Sequence, residues 1–110
     1  MNISKADAIA YLAKWYNAKT EIRAVYTTIT GNLSVVGTMK ELSASGITIT
    51  GIGCEMHLFF RDTSEYDYRD ARQSDTDSNK DRLNKYPTII RVKFSNRDEV
   101  EISEFFPEQN

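Results

Sequence analysis

The sequence predicts a mainly β fold: an N-terminal α-helix followed by a strongly bent five-stranded antiparallel barrel. Three observations lead there. Helical periodicity occurs in one stretch, residues 4–17. From 20 to 61 the chain is rich in Ile, Val, Thr and aromatic residues, interrupted by Gly-containing turns. Towards the C-terminus two alternating runs flank a polar turn. The length of 110 residues suits a single domain around one hydrophobic core.

Ser4 and Asp7 stand three apart, the spacing at which a hydroxyl and a carboxylate satisfy the free amides of a helix start. Ile9, Leu12, Ala13 and Tyr16 then recur at helical spacing, with Ala8, Tyr11 and Trp15 on a neighbouring stripe, which sets a helix over 4–17. Tyr11, Trp15 and Tyr16 read as the cover of a sheet or barrel mouth, because aromatic side chains carry a large burial term. The first strand covers about 20–29 and ends at the turn sequence Thr30-Gly31-Asn32. The second, 33–42, places Leu33, Val35, Gly37 and Met39 on one face.

After Ser43-Ala44-Ser45-Gly46 a long third strand spans 47–61. Its alternation slips: Ile47 and Ile49 are odd, whereas Ile52, Cys54, Met56, Leu58 and Phe60 are even. A one-residue slip exchanges the faces unless an extra residue is absorbed. Gly51-Ile52-Gly53 therefore marks a sharp bend, and Gly37 a second one, which together curl a short sheet into a barrel. Residues 62–86 are dominated by polar side chains, with Tyr66, Tyr68, Leu83 and Tyr86 as the large apolar exceptions, and are expected to form a mobile insertion. The fourth strand, 88–95, alternates Thr88, Ile90, Val92 and Phe94 with Ile89, Arg91 and Lys93. Ser95-Asn96-Arg97-Asp98 turns into the fifth, 99–106, whose inward residues are Val100, Ile102 and Phe106.

Composition excludes several classes. With 40% hydrophobic and 27% charged residues the chain is neither disordered nor fibrous. Fourteen basic and sixteen acidic residues leave a formal charge of −2. A protein that holds nucleic acid through phosphate contacts alone carries a positive excess, so bulk electrostatics argues against tight non-specific binding. No run approaches the roughly 18 apolar residues of a membrane helix, and the first residues lack the basic-then-apolar plan of a signal peptide. Cys54, the single cysteine, forms no internal disulfide. A soluble cytoplasmic protein without membrane association is the expectation.

Catalytic chemistry finds little footing. Cys54 and His57 lie three apart on a strand, so they face opposite sides and form no nucleophile–base pair. His57 reads as a partly exposed strand residue and Cys54 as a buried small hydrophobe. One Cys and one His assemble no zinc set, and the glycine patterns of phosphate loops are absent. Many carboxylates fall in 62–86, where no apolar wall would raise a pKa for acid–base work. Asp75-Thr76-Asp77-Ser78-Asn79 matches the first ligand positions of a calcium loop, but Lys80 stands where that loop needs Gly and Tyr86 where a Glu closes it. It reads as a solvated acidic loop. No enzyme activity, metal or cofactor is expected.

The order of elements carries more. A helix leading into Ile22-Arg23-Ala24-Val25-Tyr26, a Gly31-Asn32 turn, Val35-Val36-Gly37-Thr38-Met39 and a last hairpin over 88–105 resembles the Sm-like fold of the LSm and Hfq-type proteins. Gly37 with Met39 two residues on reproduces a feature of that family's second strand. The resemblance covers most of the chain outside 62–86. It implies a homo-oligomeric ring of about five to eight subunits, joined fourth strand to fifth. It also implies single-stranded RNA at the pore, held by the turn after the second strand and the turn between the last two. On this chain Ser43 stands near the family's Asp, Ser45 or Gly46 near its Asn, and the Arg-Gly pair of the last turn is missing. The residues so implied are Ser45, Asn96 and Arg97 at the bases, with Arg91 and Lys93 at phosphates. The expected function is non-catalytic single-stranded RNA binding by a ring. The alternative, favoured by the acidic balance, is a structural or protein-interaction module that keeps the barrel without RNA binding.

Overall fold

The computed structural model describes residues 1–70 and 88–105. Strand β1 (Asn2–Ile3) leads into helix α1 (Lys5–Ala18), followed by β2 (Ile22–Thr28), β3 (Gly31–Ser43), β4 (Gly46–Gly51), β5 (Cys54–Phe59), β6 (Glu65–Asp70), β7 (Thr88–Lys93) and β8 (Glu99–Glu104). The helix starts where the sequence places it: the Ser4 hydroxyl accepts the Asp7 amide at 3.0 Å. It ends in a left-handed residue, Lys19 at φ 54°. There the amides of Lys19 and Thr20 bond to the Tyr16 and Trp15 carbonyls at 3.2 and 2.9 Å, a Schellman closure.

All strand pairings are antiparallel, in one eight-stranded sheet of order β1-β6-β7-β8-β2-β3-β4-β5. Its core residues all lie on the face covered by α1. Ala8, Leu12 and Trp15 from the helix meet Ile22, Ala24, Ile49, Ile90, Val92, Val100 and Ile102. Tyr11 stacks on Tyr68 at 4.3 Å between ring centres, tying the helix to β6. Burial of Leu12 and the facing aliphatic side chains contributes about 1.5–3 kcal/mol each. The mainly β character and the N-terminal helix stand as expected. No helix among the described residues is long and apolar enough to cross a membrane.

Three expectations change. The long bent strand 47–61 is a hairpin: β4 and β5 pair with each other, Ile47 against Leu58 and Ile49 against Met56. Ile52 and Gly53 form its two-residue turn, with Gly53 at φ 72°. A two-residue turn sets odd positions opposite even ones, so the slip in alternation is the signature of a reversal. Ile47, Ile49, Met56, Leu58 and Phe60 are all buried, whereas Ile52 and Cys54 are exposed.

The segment expected as an insertion over 62–86 contains β6, which pairs with both β7 and β1. Tyr66 and Tyr68 point inward while Glu65, Asp67 and Arg69 alternate with them, a polar-rich strand that hydropathy alone misses. Residues 71–87, which include the calcium-like sequence, and Phe106 lie outside the described residues. Among the described residues the sheet therefore has eight strands rather than five. Its fourth and fifth predicted strands, β7 and β8, each have neighbours on both sides, so the pairing that the Sm-like resemblance implies between subunits finds no free edge there.

The β3–β4 pairing carries a glycine contact and a bulge. The β3–β4 register shifts between Met39 and Glu41. At Gly37 a Cβ would stand 1.9 Å from the Thr50 carbonyl oxygen, so the two backbones approach as only glycine allows. Gly37→Ala is expected to lower folding stability by about 2 kcal/mol in urea titration, through a forced backbone shift. An unchanged midpoint would show that the approach is not required.

Candidate functional site at the free sheet edge

Among the described residues the sheet ends in two edges, which differ. One is β1, only two residues long. The other is β5, six residues with no Lys or Pro. The Phe60 amide donates to the Ser45 carbonyl at 2.8 Å. In an antiparallel ladder every second residue faces the same neighbour, so Leu58, Met56 and Cys54 also direct their backbone groups to β4. Glu55, His57 and Phe59 direct theirs outward, along the open edge. The same three side chains lie on the exposed face, and the Phe59 residue is 69% exposed.

Two grooves meet on this strand. One, of about 480 Å³, lies against Tyr16, Ser43, Ser45 and Thr48. The other, of about 310 Å³, lies against Tyr26, Arg61, Phe94 and Asn96. His57, Leu58 and Phe59 line both. The imidazole of His57 is held between the Thr48 hydroxyl (Nδ1 at 3.1 Å) and the Glu55 carboxylate (Nε2 at 3.4 Å). Lys40 reaches the same carboxylate at 3.4 Å.

Two of the five residues singled out from sequence line these grooves, and two more line a third beside them. Ser45 lines the larger one, and its hydroxyl is 2.9 Å from that of Ser43. Asn96 lines the smaller one, but its amide serves its own turn: Nδ2 donates to Asp98 Oδ2 and Oδ1 accepts the Asp98 amide, both at 3.0 Å. Arg97, at φ 72°, and Lys93 line a third groove that shares Phe94 and Ser95 with the second. Arg91 stands apart, with Nη2 donating to Glu101 Oε1 at 3.1 Å across β7 and β8.

Sequence reasoning passed over Phe59 and Arg61. Their signal is an aromatic on the polar phase of β5 and a cation two residues beyond it, at the same odd positions as Glu55 and His57. Cys54, expected to be buried, is exposed beside the β4–β5 turn, where no core side chain covers it. Among the described residues no group of three His, Cys, Asp or Glu is arranged to hold a metal ion. Comparison with protein-family models, curated proteins and solved structures finds nothing that matches this chain.

The wall of the smaller groove is held by polar contacts. Tyr26 Oη donates to Asp98 Oδ2 at 2.9 Å, and its ring stacks on Phe94 at 5.8 Å. Burial, then the hydrogen bond to Asp98 and its negative charge, push the Tyr26 phenol above its usual 10.0. Burial also raises Tyr66, whose hydroxyl donates to the Arg61 carbonyl at 2.9 Å. A folded-state pKa above the unfolded one gives stability that is complete below pH 10.0 and is lost as pH rises through the folded value. Urea titration is therefore expected to show stability falling above pH 10.0. Tyr26→Phe should cost about 1 kcal/mol at neutral pH and make the alkaline loss shallower. An equally steep alkaline loss in Tyr26→Phe would remove Tyr26 as its source.

Proposed function

We propose that this protein is a non-catalytic interaction module that takes an extended polypeptide strand of a protein partner onto β5. The observation that carries the reading is the contrast between the two edges. Proteins blunt exposed edges with short strands, lysine, proline or bulges. Here β1 is short, whereas β5 offers the outward backbone groups of Glu55, His57 and Phe59 beside an exposed aromatic ring. In strand addition the main chain supplies affinity and flanking pockets receive alternate side chains. The grooves on either side of His57–Phe59 suit that second part.

His57→Pro removes one outward amide and the side-chain bond to Thr48 but leaves the backbone bonds to β4 in place, at a position where an edge strand tolerates proline. Peptides selected from a random library on the immobilised protein are expected to protect the Glu55, His57 and Phe59 amides in hydrogen-exchange NMR. They should bind His57→Pro about tenfold more weakly, the equivalent of one or two lost main-chain bonds. Peptides that bind the variant equally well, or that protect other amides, would reject the reading.

A second reading rests on the cations beside the grooves. Arg61, Arg97 and Lys93 line the second and third grooves around Phe94, and Phe59 presents an open ring face, the combination on which single-stranded RNA stacks and is neutralised. Of the residues that the Sm-like resemblance implies at RNA, Arg97 and Lys93 belong to this surface. Three phosphate contacts predict oligoribonucleotide affinity falling roughly tenfold between low and physiological salt, and Arg97→Ala weakening all sequences alike. Fluorescence anisotropy that detects no binding at low salt would exclude it.

A further inference from the structure

We infer that the strand β5 receives is β5 of a second copy of this chain, running antiparallel about a two-fold axis at Leu58. The inference rests on the strand-addition reading and adds the identity of the partner. A free edge is self-complementary when it pairs with itself across a two-fold axis, because each outward amide meets an outward carbonyl. Three registers keep the outward residues of both copies opposite one another, centred on Met56, His57 or Leu58.

The side chains separate them. Centred on His57, the two imidazoles face each other and Glu55 meets Phe59. Centred on Met56, Glu55 meets His57, but Phe59 meets Gly53 and Arg61 gains no partner. Centred on Leu58, Glu55 of each copy lies opposite Arg61 of the other at both ends, and His57 lies opposite Phe59 in the middle. Opposite charges and aromatic pairs directly across a ladder are the stabilising combinations. Arg61 is suited to the part. It lies two residues past β5, with its carbonyl taken by the Ser64 amide at 3.1 Å and the Tyr66 hydroxyl at 2.9 Å, so it meets Glu55 through its exposed side chain and not through the main-chain ladder. Glu55 is exposed on the same face. On the inner face this register sets Met56 against Phe60 of the other copy and Leu58 against Leu58, all of them core residues. Phe59, the most exposed large apolar side chain on β5, gains a neighbour.

Light scattering on a sizing column, in reductant and after nuclease treatment, tests this. The wild-type chain is expected at twice the monomer mass at high concentration. Glu55→Arg and Arg61→Glu should each raise the dimer dissociation constant about tenfold, because two attractive pairs become repulsive. The double variant E55R/R61E should restore it, with far-UV circular dichroism unchanged throughout. A monomeric wild type, single variants that leave the dimer intact, or a double variant that fails to recover would each overturn the inference, as would a dimer lost on nuclease treatment. Neither substitution removes a β5 amide. A monomer that still takes selected peptides onto β5 therefore overturns only the self-pairing, whereas loss of peptide uptake as well overturns strand addition.

Discussion

The structure depends on the pairing of β2 with β8. These strands lie far apart in sequence yet form the seam between the β6–β7–β8 meander and the β2–β5 meander. Ala24 opposes Ile102 and Tyr26 opposes Val100, and the Phe105 amide continues the ladder to the Glu21 carbonyl at 2.9 Å. Ala24, Val100 and Ile102 are fully buried at this seam, within the same core cluster as Leu12 of α1. Loop closure over so many residues is entropically costly, so these long-range contacts have to be apolar and well packed to form at all.

That seam also determines which edges remain. With β8 between β7 and β2, and β6 on the far side of β7, neither member of the last hairpin offers an edge to another chain. The remaining edges fall to β1 and β5. The N-terminal segment caps β6, with the Tyr68 amide on the Met1 carbonyl at 2.9 Å. Among the described residues β5 has a partner on one side alone, because the tight turn at Ile52–Gly53 folds it back on β4. The free edge is thus a consequence of one two-residue turn and one distant pairing.

Polar groups near that edge are organised by their own neighbours. Asp98 takes bonds from both Tyr26 and Asn96, which fixes the β7–β8 turn and orients the groove wall. Asn96 looks in the sequence like a free hydrogen-bonding group, but in the fold both ends of its amide meet Asp98. Arg91 is likewise paired across the sheet with Glu101. The groups left facing outward on β5 are those on the polar phase of the strand, where Phe59 is the exception in chemistry.

Much of the local structure is legible in the sequence. Ser4 and the helical spacing specify the helix, because capping and the 3.6-residue period act within a few residues. Of the expected main stripe Ile9, Leu12, Ala13 and Tyr16, however, only Leu12 is buried and Tyr16 is exposed, the core being met by Ala8, Leu12 and Trp15. Alternation likewise places Ile90, Val92, Val100 and Ile102 on the inward faces of β7 and β8, whereas on β3 it holds for Val35 and Met39 but not for the exposed Leu33. Even the slip at Gly51–Gly53 is a true signal, although a bend and a reversal produce the same change of phase. Period-two patterns state which face of a strand is buried but not which strand lies beside it. The polar-rich β6 shows the same limit, since Tyr66 and Tyr68 gain their meaning from Phe60 and Tyr11 packed against them. Only the tertiary structure decided that β7 and β8 lie inside the sheet and that Glu55, His57 and Phe59 border open space. Strand neighbours are chosen by contacts between distant segments, and those follow from how the whole core packs.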